Sequence, residues 1–288
     1  MKKQLTIYYT SDVHGYFSPI DYASGNEIPS GLANCISNFE KDGNTLIIDG
    51  GDILQGSPFT YYLYNKLKDD GCLPAEIMNI GGYDFVTLGN HDFNYGKEEL
   101  EKYISALDAR CLCANIAGIR GVEKTAIVTL QNGLRVGLAG VTTHYVKLWE
   151  KPENLAGIAV TDAFTAAKEA YDQLKAKADI TVCIYHGGFE RDVKTGKVLS
   201  DTDENQGWRI CEELGFDILL AGHQHTAAEN VRINGTYTCQ PPDSISWMRE
   251  TLPRPRPRRC FFQQKNRPRR GLIRLWGIWI RRCCPPVI

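Results

Sequence analysis

Five short β-forming runs in this chain each end on a glycine-flanked aspartate, asparagine or histidine, and no other feature restricts the fold as tightly. Residues 5–10 lead into Ser11-Asp12-Val13-His14-Gly15, and residues 45–48 lead into Asp49-Gly50-Gly51-Asp52. Residues 84–88 deliver Gly89-Asn90-His91-Asp92-Phe93, with Asn94-Tyr95-Gly96 behind them. Residues 180–185 run into His186-Gly187-Gly188, and residues 217–220 into Ala221-Gly222-His223-Gln224-His225. Their β-branched and aromatic content makes these runs strands. A single histidine after a strand is ordinarily a hydrogen-bonded loop residue. Here five of the 6 histidines occupy such ends, and loops at the carboxyl edge of an open sheet converge. The fold must therefore bring five strand ends to one place.

The segments between these strands fix the class. Helical spacing covers residues 58–68, 97–107, 162–177 and 204–214. Ser57-Pro58 reads as an N-cap followed by proline at the first helical position, which gives Ser57 a structural role. Residues 110–115 form a further strand. Asn132-Gly133 joins 125–130 to 134–141 as a hairpin, and Asn234-Gly235 joins 231–233 to 236–239 in the same way. Strand and helix alternate, with hairpins in the middle and at the end, so an α/β protein with two sheets or one mixed sheet is expected. Asp12 and His14 are two apart, and in extended backbone both would project to one side. His144 has no partner nearby in sequence and reads as a surface or packing histidine.

Net charge divides the chain. Residues 1–248 carry 21 basic against 33 acidic side chains, whereas residues 249–288 carry 12 basic against one acidic. We expect a body over residues 1–244 and a basic Pro/Arg-rich tail over 245–288. Alternate prolines at 253, 255 and 257 bar helix and central strand, so the tail is expected to be irregular, an aberrant terminus. A basic arm gripping nucleic acid and a cationic segment lying on anionic lipid are its other readings. No stretch reaches the roughly 20 apolar residues of a membrane span. With no signal-like segment at the start and no paired spacing among Cys35, Cys72, Cys111, Cys113, Cys183, Cys211 and Cys239, a cytoplasmic protein with reduced thiols is expected.

The donors suit metal chemistry. Asp12, His14, Asp52, Asn90, His186, His223 and His225 are too many for one catalytic ion, which takes about three protein ligands. Two divalent ions bridged by a carboxylate account for them, the arrangement that clamps a transferring phosphoryl group. Oxygen and imidazole donors without thiolate fit Mn, Zn, Fe, Co or Ni. His91 is then a spare imidazole beside a ligand, placed to hydrogen-bond a phosphoryl group or protonate a leaving oxygen. A further ligand or a supporting residue is its other reading.

The motifs SDVHG, GGD followed by QGSP, GNHDFNYG, YHGG and AGHQH, in that order over about residues 4–242, resemble the calcineurin-like metallophosphoesterases. They are most similar to the branch of 5′-nucleotidases and 2′,3′-cyclic-nucleotide 2′-phosphodiesterases. The resemblance implies a four-layered α/β/β/α sandwich in which residues 1–244 are the catalytic domain. It also implies that Asp12, His14 and His225 hold one ion, that Asn90, His186 and His223 hold the other, and that Asp52 bridges. His91 matches the catalytic histidine, which in nucleotidase members is oriented by an aspartate where this chain has Asn94. Either Asn94 or Asp92 is expected to take that part. Small phosphate esters, nucleoside monophosphates or 2′,3′-cyclic nucleotides, are the implied substrates. The base-gripping second domain of larger members is not expected here. A truncated, inactive or nucleic-acid-binding protein that keeps the ligands is the competing expectation, and a nuclease is another.

Overall fold

Alternate residues of each strand sort into different cores, and the cores define the layers. The computed structural model describes residues 3–28, 30–67, 72–242, 260–262 and 273–277. Five strands carry the site: β1 (Thr6–Thr10), β2 (Thr45–Asp49), β3 (Phe85–Val86), β4 (Ile180–His186) and β5 (Ile218–Ala221). On β1, Ile7 and Tyr9 face a central core with Leu46, Ile48 and Phe85 from one sheet and Val136, Leu138, Val182, Ile184 and Leu220 from the other. Tyr8, Ile47 and Val86 face the opposite way, onto Leu32, Ala75, Met78, Leu100 and Tyr103. On the second sheet, Cys183, Tyr185, Leu219 and Ala221 face Ala163, Ala167, Leu174 and Ile210. Side chains alternate across a strand, so each sheet is buried on both faces and the order is α/β/β/α, as expected.

The first sheet has seven strands in the order Cys260–Phe262, Ile273–Gly277, β1, β2, β3, Arg110–Leu112 and Val122–Glu123. The second has six, in the order Ala228–Ile233, Thr236–Gln240, β5, β4, Arg135–Thr142 and Thr125–Thr129. β1, β2 and β3 are parallel, with Thr10 opposite Asp49 and Asp49 opposite Val86. β4 and β5 are also parallel, with Tyr185 opposite Ala221. Parallel pairing stacks the carboxyl ends of neighbouring strands at one edge, which is the physical basis of the convergence required above.

Both hairpins form, and at the second, Asn234 (φ 45°) and Gly235 (φ 93°) give the left-handed pair that a two-residue turn requires. Ser57 caps its helix by accepting from the Thr60 amide at 3.2 Å. That helix covers Pro58–Tyr62 and widens into a π turn over Leu63–Leu67. The later helices occupy Lys97–Ala106, Ala163–Leu174 and Gly207–Glu213. Short elements escape the periodicity argument, among them Leu32–Ile36, Leu73–Ile80, Val146–Trp149 and a two-stranded pairing of Ile116–Ala117 with Ala159–Val160. The boundary drawn at 244 and most of the tail lie outside the described residues. Within the tail, Ile273–Gly277 pairs in parallel with β1, Leu275 opposite Ile7. No helix among the described residues is long and apolar enough to cross a membrane.

Candidate metal centre and active site

The loops leaving β1, β2 and β5 are built on backbone that few side chains tolerate. Asp12 (φ 58°), His14 (φ 51°), Asp52 (φ 60°), His223 (φ 73°) and His225 (φ 53°) are all left-handed; the only other such non-glycine residue among those described is Asn234. The extended geometry expected for Asp12 and His14 is therefore corrected: the chain coils rather than continuing as strand. Left-handed backbone costs a non-glycine residue on the order of 1 kcal/mol or more, so the surroundings must impose it. Glycines make the room. A Cβ on Gly89 would overlap Asp52 Oδ1, and one on Gly222 would overlap the Ser11 side chain and crowd Asp12 Oδ2.

Two sets of donors come within coordinating reach of one another. Asp12, His14 and His225 form one, and Asp12, Asp52 and His186 the other. His225 Nε2 lies 3.4 Å from Asp12 Oδ1, and His14 Nε2 lies 3.0 Å from His225 Nε2. Asp52 Oδ2 lies 3.2 Å from His186 Nε2 and 3.8 Å from His14 Nε2. Asn90 Oδ1 is 3.2 Å from His186 Nε2. Asp12 thus belongs to both sets, where the resemblance implied that Asp52 alone is shared, although Asp52 Oδ2 also reaches toward a histidine of each set. Asp12, Asp52 and His186 are completely or almost completely buried, while His225 is open to solvent on one side.

The far nitrogens are anchored. His14 Nδ1 is 2.9 Å from the Gln55 carbonyl and His186 Nδ1 is 2.7 Å from the Gly50 carbonyl, so each carries its hydrogen there and leaves Nε2 for the site. His223 corrects its expected ligand role in one respect. Its Nε2 is held by Glu204 Oε1 at 3.1 Å, it lies outside both donor sets, and Trp149 stacks on its ring at 5.4 Å. Only Nδ1 remains to face a cation.

Burial alone would raise the carboxyls of Asp12 and Asp52, but neighbouring imidazoles outweigh it. His225 and His186 hold Asp12 below the usual carboxylate value, and His186, His14 and His91 hold Asp52 below it. Burial depresses His186, yet Asp52 and Asp12 lift it to about 10. Two buried carboxylates kept ionised beside imidazoles, whose place a cation can take as their charge partner, are the electrostatics of a cation site.

His91 stands at the rim, its ring 5.3 Å from that of His14 and its amide donating to Asp52 Oδ1 at 2.7 Å. Its Nδ1 lies 2.8 Å from Asn94 Oδ1. Asp92, the other candidate for orienting it, is corrected to a scaffold. Asp92 accepts the amides of Asp52 (2.9 Å), Ile53 (2.9 Å), Leu54 (3.0 Å) and Gly89 (2.8 Å) and is buried away from the rim. His144 meets the packing expectation, half-buried with Nδ1 3.7 Å from Asp162. Sequence reasoning passed over Glu150, Asn154 and Glu204, acidic or amide residues on loops with no glycine or histidine beside them to mark them.

Residues 5–227 match the family model for calcineurin-like phosphoesterases. The trifunctional nucleotide phosphoesterase protein YfkN of Bacillus subtilis (strain 168) is 32% identical over 77% of this chain and 16% of its own length. The 2′,3′-cyclic-nucleotide 2′-phosphodiesterase/3′-nucleotidase of Salmonella typhimurium is 28% identical over 77% of this chain and 36% of its own. The chain therefore spans well under half the length of these curated relatives. A crystal structure of the calcineurin-like phosphoesterase YfkN from Bacillus subtilis superposes with a TM-score of 0.69 at 28% identity, covering 82% of this chain and 80% of that one. The family match encloses the five strands that end in candidate donors and the two donor sets between them, and the chain belongs to the calcineurin-like phosphoesterases.

Proposed function

We propose that this chain hydrolyses small phosphate esters, nucleoside monophosphates or 2′,3′-cyclic nucleotides, with two divalent cations as cofactors. The observation that carries the reading is Asp12, fully buried and common to both donor sets. Carboxylate, imidazole and amide donors without a thiolate fit Mn, Zn, Fe, Co or Ni. Asp12, His14 and His225 would hold one ion, and Asp12, Asp52, His186 and Asn90 the other, with His223 contributing Nδ1. Such ions, when bound, neutralise charge on the phosphoryl oxygens and provide a nucleophile at neutral pH.

The chain itself does the rest. Anchored imidazoles aim Nε2 at the site and depressed carboxyls keep Asp12 and Asp52 ionised, while His186 would give up its proton when a cation binds. His91, with Nδ1 tied to Asn94, has Nε2 left to face the substrate, and from there the doubly protonated ring would hydrogen-bond a phosphoryl oxygen or hand a proton to the departing alkoxide. The nucleotide substrates borne in the names of the relatives support the substrate class. Free thiols at the seven cysteines of the body, six of them buried, support the cytoplasmic placement. The test is phosphate release from AMP and ring opening of 2′,3′-cyclic AMP with Mn²⁺ added. His91→Ala should lower the rate by roughly 10²- to 10⁴-fold at unchanged metal content, and equal rates would refute the assigned role.

A further inference from the structure

An asparagine side chain is almost symmetric in shape but not in chemistry, since one end only accepts hydrogen bonds and the other only donates. Which end of Asn94 faces His91 therefore decides which nitrogen of the neutral His91 ring carries hydrogen. The residue on the far side of Asn94 settles it. Asn94 Nδ2 donates to Glu150 Oε2, and an ionised carboxylate can only accept. The amide nitrogen must face Glu150, its carbonyl oxygen must face His91, and Nδ1 of His91 must be the protonated atom, 2.8 Å away.

Glu150 is itself fixed by donors. Its Oε1 accepts from Asn154 Nδ2 at 2.9 Å and from the Lys151 amide at 2.6 Å. Asn154 Nδ2 also donates to the Asn94 carbonyl at 3.0 Å, closing the ring back onto the loop that carries His91. Glu150 directly follows the short helix Val146–Trp149, so a rigid element sets its position.

We propose that Glu150, braced by Asn154, is a positioning residue for His91: it locks the Asn94 amide in one orientation, so that Nδ1 always donates to Asn94 and Nε2 is the atom that takes up a proton and, from the doubly protonated ring, gives it up toward the substrate. The proposal rests on the catalytic reading of His91 given above. It places the negative charge one hydrogen bond farther out than an aspartate at position 94 would. Asn94→Asp alone sets two carboxylates against each other with no donor between them. Asn94→Asp combined with Glu150→Gln reverses the one bond between positions 94 and 150 and keeps all the others: the new glutamine amide would donate inward, and its oxygen would still accept from Asn154 and Lys151.

The test measures kcat and KM for bis(p-nitrophenyl) phosphate with Mn²⁺ in the parent, Asn94→Asp, Glu150→Ala, the Asn94→Asp/Glu150→Gln pair and His91→Ala. Melting temperature and bound Mn²⁺ are followed for each, and long-range ¹H–¹⁵N spectra read the His91 tautomer in the metal-free protein. Asn94→Asp and Glu150→Ala are expected to lose about tenfold or more in kcat with KM little changed. The paired variant should return to within about threefold of the parent, the non-additivity expected of residues in contact. His91 should carry its hydrogen on Nδ1 in the parent and on a mixture of both nitrogens in Glu150→Ala. A pair no faster than Asn94→Asp, or a parent whose neutral ring carries its single hydrogen on Nε2, overturns the positioning role while a slow His91→Ala leaves the catalytic reading standing. A His91→Ala protein as fast as the parent removes both.

Discussion

At the scale of single residues, the site is a set of charges that stabilise one another only because they are buried together. His186 shows this most clearly. Its folded value, near 10, lies above the ordinary histidine value of about 6.5. The imidazolium therefore stabilises the cation-free fold fully below about pH 6.5, and that contribution fades as pH rises through about 10. A divalent cation needs the neutral ring, so binding releases the proton and the dependence reverses. In differential scanning fluorimetry from about pH 7 to about pH 9, the chelator-treated protein should melt progressively lower, while the protein in Mn²⁺ should not. A chelated protein that grows more stable over that range would contradict the placement of His186 between two carboxylates. Asp92 makes a second residue-scale prediction. Asp92→Asn turns an NH₂ group toward backbone amides that now donate to a carboxylate, leaving at least one buried donor unpaired. The expected cost is about 1–3 kcal/mol in denaturant unfolding, without the kcat-specific loss expected of Asn94→Asp.

At the scale of elements, the parallel pairing of β1 with β2 and β3, and of β4 with β5, places every donor, and glycines let the loops close. Gly89 has ordinary backbone, so its importance is space alone: a methyl group there meets the Asp52 carboxylate and amide. Gly89→Ala should therefore displace Asp52, reducing Mn²⁺ retained after gel filtration from two per chain toward one and lowering the melting temperature by several degrees, about 2–4 °C for each kcal/mol lost. Unchanged metal content would mean that the loop relaxes freely and the packing argument is wrong. The five strand ends were legible in the sequence because each is a local signal, a β-forming run with glycine and a donor at its end. The choice between Asp92 and Asn94 was not legible, for a local reason as well. It is adjacent to His91 in sequence, but Asn90–Phe93 is a tight 3₁₀ turn in which consecutive side chains diverge by about 120°.

For the whole molecule, the fold class and the two-ion arithmetic follow from composition and order, whereas the supporting residues do not. Glu150 meets Asn94 across 56 residues and Glu204 meets His223 across 19. Their roles depend on which loop tips the two sheets bring side by side, and no run of residues around them carries that information. The same holds for the left-handed backbone at Asp12, His14 and Asp52, which exists because strand exits from two stacked sheets must turn inward to meet. What the sandwich achieves is a meeting of carboxylate and imidazole donors from the ends of strands in both sheets, with Asp12 common to both donor sets. Anomalous diffraction at the Mn edge, from crystals of the full chain grown with Mn²⁺, tests that most directly. The account predicts two peaks, one among Asp12, His14 and His225 and one among Asp12, Asp52 and His186. A single peak, or peaks away from Asp12, would contradict it.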